Sequence, residues 1–351
     1  MTKVVNQPLV SFVIPSYNSG KFLRQTLESC LNQTYSNIEI LLINDGSTDN
    51  TDEILEDFKN IENFFHIKNE KNEGLIYTLN RGMKLARGEF IARMDGDDIC
   101  LPGRIQAQVD YFQKHPDVDV LGTDIIIIDQ DNKRKGKPRE VIRSEAEIEW
   151  SIVSSCPVFH PTVMLRKKLL ENEPFSTSLY FVSDKIAEDL GLWARVLLAN
   201  KKIAVLNDPY LLYRKHSGSL TSSYSTKQIE MAASIVSQFT QQKWAIKISD
   251  QFLLNMRKRD QFSSNSFITE AKSIIQSFKN QGRIELALAA QTDIQVISLN
   301  YLHFFIFKNS EENKLQATWN TFSFVFSIKN LRTSFNALFK FYMGLIRKCS
   351  N

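Results

Sequence analysis

Asp95, Asp97 and Asp98 crowd into four positions around Gly96. Close like charges repel and raise each other's pKa. A hard divalent cation removes that cost by taking carboxylate oxygens as ligands, and Mg²⁺ usually completes its shell with substrate phosphates. The stretch therefore reads either as a metal-diphosphate platform or as an acidic surface turn. Other residues could add chemistry. Tyr17 follows Pro15 and Ser16, Asp45 sits in Asn44-Asp45-Gly46-Ser47-Thr48-Asp49, Asp189 follows Glu188, and His216 ends Tyr213-Arg214-Lys215-His216. Each has a plainer use. Tyr17 can pack under its loop, Asp45 can bond its own turn, and Asp189 can be a helix start favoured by the backbone dipole. His160 reads as a structural histidine. Trp193, at helical spacing with Leu192 and Val196, reads as core.

The elements around these residues decide whether they meet. Phe90, Ile91 and Ala92 read as a short buried strand running into the acidic turn, with Gly88 turning the chain before it and Pro102 where a helix can begin. Leu9 to Ile14 is an apolar run ended by Pro15, as expected of a strand buried on both faces. Phe22, Leu23, Leu27 and Leu31 then recur at helical spacing. Ile38 to Ile43 is a second buried strand, and Asp49 or Thr48 can cap the helix of Ile54, Leu55 and Phe58. Phe64 to Ile67 is a third strand. A helix with Leu75, Leu79, Met83 and Ala86 on one face follows, and Ile105, Val109 and Phe112 mark another after the acidic turn. The alternation over about 110 residues predicts an α/β domain with a largely parallel central sheet. Ligands of such sheets bind outside the carboxyl ends of the strands, where Pro15-Ser16-Tyr17, Asp45 and the acidic turn all fall.

Farther on, Val118 to Asp129 predicts two short strands around Gly122, and residues 131–140 an exposed loop. Val158 to Leu165 reads as a strand interrupted by His160-Pro161, and Ser178 to Lys185 as a mobile loop. Glu188-Asp189 opens a helix, and Ile203 to Leu206 and Tyr210 to Tyr213 read as two short strands. Beyond Tyr224 helical patterns dominate, through Gln242 to Lys258, Phe267 to Lys279, Ile284 to Leu299 and Leu331 to Arg347. The expected division is residues 1–224 as an α/β domain and 225–351 as a mainly helical region.

The formal net charge of +4 over 351 residues is too small to argue for nucleic acid. It is unevenly spread: residues 225–351 carry a net +8 and the first 224 a net −4, so the back half suits an anionic partner. Cys30, Cys100, Cys156 and Cys349 form no C-x-x-C pair, which argues against a zinc site or disulfide framework. With no signal-peptide stretch at the start and no apolar run of about 18 residues, a cytoplasmic chain with reduced thiols is expected. The 331–347 helix joins an apolar face to Arg332, Lys340, Arg347 and Lys348. It either packs on neighbouring helices or lies on an anionic membrane surface.

Val10 to Asn18, Asn44 to Asp49 and Ala86 to Asp98 together resemble the family 2 glycosyltransferases of bacterial cell-surface polysaccharide synthesis. His160-Pro161-Thr162, Glu188 to Trp193 and Tyr213 to His216 fit in the same order, so the likeness spans about residues 8 to 220. The resemblance implies a GT-A fold that binds a nucleotide-sugar, most simply a UDP-hexose. It implies nucleotide contacts from Pro15, Tyr17, Asp45, Asp95 and Asp97, and a divalent metal, Mn²⁺ or Mg²⁺, near Asp97, Asp98 and His216. It gives Asp189 the role of the base that takes the acceptor hydroxyl's proton during inverting transfer to a saccharide or lipid-linked saccharide. That acceptor implies a peripheral location at the cytoplasmic face of the inner membrane. Asn44 departs from the aspartate frequent at its position. Two other readings compete: a sugar-nucleotide pyrophosphorylase, disfavoured by the single glycine and lysine in Ser16 to Lys21, and a non-catalytic sugar-nucleotide binding protein, against which the Asp189 match weighs.

Overall fold

A computed structural model describes residues 7–135, 144–171, 175, 187–216, 226–258 and 265–294. The expected mobile loop at Ser178 to Lys185 and the helix at Leu331 to Arg347 lie outside these residues. The chain divides into two compact units, residues 1–245 and 246–351.

In the first unit β1 (Val10–Ser16), β2 (Ile38–Asn44), β3 (Phe64–Lys68) and β4 (Phe90–Arg93) alternate with α1 (Gly20–Leu31), α2 (Thr51–Glu56) and α3 (Leu75–Leu85). After β4 come β5 (Ile99–Cys100), α4 (Arg104–Lys114), β6 (Val118–Ile128), α5 (Glu145–Ser154), a 3-10 turn at His160–Thr162, β7 (Met164–Arg166), α6 (Glu188–Leu198), β8 (Lys202–Arg214) and α7 (Thr226–Trp244). The sheet order is β3-β2-β1-β4-β7-β6-β8-β5. Its first four strands are parallel. Beyond them β7 runs antiparallel to both neighbours, β6 and β8 are parallel, and β5 is antiparallel to β8. The expected α/β fold with a largely parallel centre is what forms.

Every residue of β1 and β2 is buried, as a strand covered on both faces requires. Phe12, Ile14, Ile40 and Leu42 from alternate positions meet Leu23 and Leu27 of α1 in one hydrophobic cluster. Burying each such side chain contributes about 1.5–3 kcal/mol. Pro15 lies inside β1, opposite Ile43, rather than after it. Pairing with β4 stops at Val13, so a residue without N–H is tolerated there. Gly82 of α3 lies so close to the sheet that a Cβ would stand 2.5 Å from Val13.

Several sequence expectations change. Residues 118–128 form one strand, not two, with register shifts between Thr123 and Ile125 that absorb the irregularity as bulges. Its partner is also one strand, β8, in which Asn207-Asp208-Pro209 is a bulged step rather than a turn. His160-Pro161 sits in a 3-10 turn, and the strand that follows is short. Asp49 does not cap α2 as its Ncap residue. Its carboxylate accepts the Gly20 N–H at the start of α1 (2.9 Å) and the Thr51 N–H (3.1 Å), so it binds two helix starts together. The stretch 242–258 is not one helix: α7 ends at Trp244 and α8 (Asp250–Lys258) follows, with Ala245 at φ 56° between them. Trp244 stacks on Trp150 of α5 at 5.9 Å and donates to Glu149 at 2.5 Å, which ties α7 into the first unit.

The second unit contains α8, α9 (Asn265–Asn280) and a helical run at 284–294. Phe252 and Phe267 stack at 4.5 Å, and Glu270 accepts both the N–H and the hydroxyl of Ser249 ahead of α8. Among the described residues no helix is long and apolar enough to cross a membrane.

Candidate active site

The carboxyl ends of β1, β2 and β4 lie side by side, Ser16 opposite Asn44 and Val13 opposite Arg93. Loops from these ends interlock. Asp45 N–H donates to the Ser16 carbonyl (2.8 Å), Asn18 N–H to the Ser47 hydroxyl (3.0 Å), and Thr48 N–H to the Asn18 side chain (2.8 Å). Gly96 packs so tightly on the first loop that a Cβ would meet the Ser19 hydroxyl at 3.0 Å. Tyr17, in the loop after β1, is 47% exposed and is not packed beneath that loop.

Asp45 is buried, and its carboxylate is well occupied. It accepts from the Asn69 side chain at 2.7 Å, from Glu73 N–H at 2.9 Å and from Gly74 N–H at 2.8 Å, the last at the start of α3. It fixes the 69–74 loop beside the carboxyl end of β2. Asn44 is also explained. Its amide donates to Asp52 at 2.8 Å while its carbonyl accepts Ser47 N–H at 2.9 Å. An aspartate there would set two carboxylates against each other.

The acidic turn follows β4. Ligand oxygens of Asp95, Asp97 and Asp98 all lie within 4.8 Å of one another. Arg93 grips Asp95 with two 2.5 Å bonds. Burial pushes the Asp95 carboxyl upward, against the pull of Arg93 and with the help of the Asp97 and Asp189 charges. Asp97 meets His216 Nε2 at 2.9 Å. Asp98 is buried and held well above the usual carboxylate range by desolvation, with Asp95 and Asp97 adding to it. Its Oδ1 accepts Arg214 N–H at 2.8 Å, and its Oδ2 is buried with no hydrogen-bond partner among the described residues. An orphaned buried carboxylate oxygen beside two more carboxylates fits a hard divalent cation, which takes oxygen ligands.

Asp189 is the second residue of α6. Its Oδ1 takes the Leu190 N–H at 2.7 Å, and its Oδ2 takes the Cys156 thiol at 3.3 Å. Its charge adds to the upward push on the Asp95 carboxyl. Glu188 Oε1 stands 4.0 Å from His160 Nδ1, in the turn that leads to Val163, whose carbonyl accepts the Arg93 N–H at 2.8 Å. Glu188 is pushed up to about 7 by burial and by Asp189. His160, buried and edge-on to Trp193 at 6.0 Å, is held well below the usual imidazole range by desolvation and then by Arg93. Trp193 is fully buried core.

Pro15, Tyr17, Asp45, Asp95, Asp97 and Asp98 lie at or just past the carboxyl ends of β1, β2 and β4, His216 meets Asp97, and Asp189 opens α6. Sequence reasoning missed two arginines. Arg93, the last residue of β4, lies two residues before Asp95, and in extended chain that spacing signals the same face. Arg214 lies in Tyr213-Arg214-Lys215-His216, where only the histidine drew a role. It is buried and bonds the Asp97 carbonyl (2.7 Å), Asn132 (2.6 Å) and Gln25 (2.9 Å), with its guanidinium 4.5 Å over Phe22. It supports the acidic turn from α1 and β8 together.

A sheet of this order with an acidic turn after β4 and a carboxylate at the start of α6 defines a GT-A type of α/β fold. Solved structures agree: S. aureus TarS 1–349 in complex with UDP-GlcNAc matches with a TM-score of 0.55, covering 81% of this chain and 90% of that one at 20% identity. Residues 11–172 match the model of glycosyl transferase family 2. The glycosyltransferase GlyG of Streptococcus pneumoniae serotype 4 is 32% identical over 262 residues, 71% of this chain and 82% of the relative. An uncharacterized glycosyltransferase of Haemophilus influenzae is 31% identical over 243 residues, 66% of this chain and 72% of the relative. The chain belongs to glycosyl transferase family 2 and is a glycosyltransferase.

Proposed function

We propose that the chain transfers a hexose from a UDP-sugar, with inversion and with a divalent cation, to a hydroxyl of a saccharide or lipid-linked saccharide. The observation that carries this reading is the acidic turn after β4, where ligand oxygens of Asp95, Asp97 and Asp98 lie within 4.8 Å of one another and Asp98 Oδ2 is buried without a partner among the described residues; Asp189 at the start of α6 is read as the base. UDP-GlcNAc bound to TarS supports the donor class.

In this reading Tyr17 stacks on the base, and Asp45, through the loop it fixes, shapes the uridine side. Asp97 and Asp98, with His216 beside them, would hold a Mn²⁺ or Mg²⁺ ion. When bound, that ion offsets the charge of the departing diphosphate. Asp189 accepts the acceptor hydroxyl's proton as its oxygen attacks the anomeric carbon. Its two fixed contacts, Leu190 N–H and the Cys156 thiol, keep its carboxylate aimed. Attack from the face opposite the leaving group needs no covalent sugar intermediate, so one base suffices. The basic 225–351 region, with its net +8, suits a peripheral position on an anionic membrane surface at the cytoplasmic face, where a growing surface polysaccharide chain would be the acceptor.

Incubation with a panel of UDP-sugars and Mn²⁺, followed by NMR of the product's anomeric configuration, tests the reaction. Configuration opposite to the donor is expected. A product of retained configuration contradicts the single-base reading.

A further inference from the structure

Arg93 ends β4, and its side chain is 4% exposed. Phe90, Ala92 and Met94 enter the hydrophobic cluster, and side chains alternate across a strand, so Arg93 stands on the other face of the sheet. Its backbone is pinned on both sides: its N–H donates to the Val163 carbonyl at 2.8 Å, and its own carbonyl accepts Arg104 Nη2 at 2.9 Å. Its guanidinium forks onto Asp95, Nη1 to Oδ2 and Nη2 to Oδ1, each at 2.5 Å. The same charge acts on Glu188 and on His160, whose Nδ1 is 4.0 Å from Glu188 Oε1. Glu188 is the first residue of α6, directly before Asp189. The buried Arg93 thus stands between the acidic turn, which its fork holds, and the 160–163 turn, whose His160 meets Glu188 at the start of α6. His160, kept neutral by burial, adds no second charge there.

We propose that Arg93 is a positioning residue that joins the two halves of the site: its fork fixes Asp95 on the nucleotide side, and its charge offsets the crowding of Glu188 and Asp189 on the acceptor side. This rests on the transferase reading for the meaning of the two halves. The fork and the charge are separable, because lysine keeps a point charge but cannot make two parallel bonds to one carboxylate.

The test measures kcat and KM for the sugar nucleotide, calorimetric UDP affinity and thermal unfolding in Arg93→Lys, Arg93→Met, Glu188→Gln and Arg93→Met/Glu188→Gln. Arg93→Lys should weaken UDP binding and raise KM by about ten- to a hundredfold, the scale of one lost charged hydrogen bond, while kcat stays within a few-fold. Arg93→Met should show the same binding loss and a kcat lower by about a hundredfold, the scale of a lost electrostatic contact in a dry site. In the Glu188→Gln background, where the amide needs no counter-charge, the kcat penalty of Arg93→Met should shrink to a few-fold. Equal kcat in the Lys and Met variants, or the same Met penalty in both Glu188 backgrounds, overturns the proposal. If Arg93→Met does not fold, Arg93→Lys decides alone, and unchanged UDP affinity in it overturns the fork. UDP calorimetry needs no turnover, so absence of transfer by the wild type would fault the transferase reading while the Asp95 arm is still read.

Discussion

At the scale of single residues, the site is a set of carboxylates whose surroundings assign them different work. Asp189 has a thiol and its own helix N–H as partners. Asp189→Asn should cut transfer by about 10²–10⁴, the scale of a removed general base, while calorimetry finds UDP affinity within a few-fold of wild type. An equal loss of UDP affinity would move Asp189 to the nucleotide side. Glu188 behaves differently. Its carboxyl is raised from an ordinary 4.5 to about 7, chiefly by burial and then by Asp189. Between those values the folded chain binds more protons than the unfolded one, so stability falls as pH rises through that window. Glu188→Gln should therefore raise the Tm at pH 8, by at most about 3 kcal/mol of stability, and leave it unchanged near pH 4. A Tm gain that is the same at both pH values would contradict the raised carboxyl. Asp45 and the acidic turn were legible in the sequence because each follows an apolar run, and Asp189 because Glu188-Asp189 opens an apolar helix pattern. Arg93 and Arg214 were not. An arginine next to a strand reads as a solvated end, and only the folded chain shows the first forked onto Asp95 and the second buried over Phe22.

At the scale of elements, loops are held by polar side chains more than by their own turns. Asp45 accepts three hydrogen bonds from the 69–74 loop and the start of α3. Asp45→Ala should leave those donors without their charged acceptor, lowering stability by about 1–3 kcal/mol and weakening UDP binding before it affects kcat. Calorimetric titration with UDP beside thermal unfolding checks both. Full Tm with lost UDP affinity would instead place Asp45 in direct contact with the base and free of the loop. The strands from Val10 to Arg93 were legible because they are buried on both faces and read as unbroken apolar runs. The β6–β8 pair was not. Gly122 and Asn207-Asp208-Pro209 carry turn chemistry, yet the two strands stay paired by bulging at Thr123, Asp124 and Pro209, a choice made by the partner strand and invisible in either stretch alone. The helix break at Ala245 was missed for a similar reason: apolar spacing continues through Trp244, Ile246 and Ile248, all buried, while the backbone turns at a positive φ.

At the scale of the whole molecule, charge is unevenly spread, with a net −4 in residues 1–224 and a net +8 in residues 225–351. Basic groups next to an apolar helix face bind anionic lipid by a salt-sensitive attraction of about 1 kcal/mol per Lys or Arg near the surface. The full chain should co-sediment with phosphatidylserine-containing vesicles at low salt and release at high salt, while a chain ending at Asn330 should stay in the supernatant. Equal partitioning of the two folded forms would remove the 331–347 segment from membrane binding. The central claim is narrower: the acidic turn and the start of α6 make one metal-assisted transferase site. It is tested most directly by the initial rate of UDP release from UDP-sugars in Mn²⁺, measured for the wild type and for Asp97→Asn. The wild type should release UDP, lose that activity in EDTA and regain it on adding Mn²⁺, and Asp97→Asn should be inactive under every condition with its fold intact. Near wild-type release by Asp97→Asn, with metal and without it, would contradict the account.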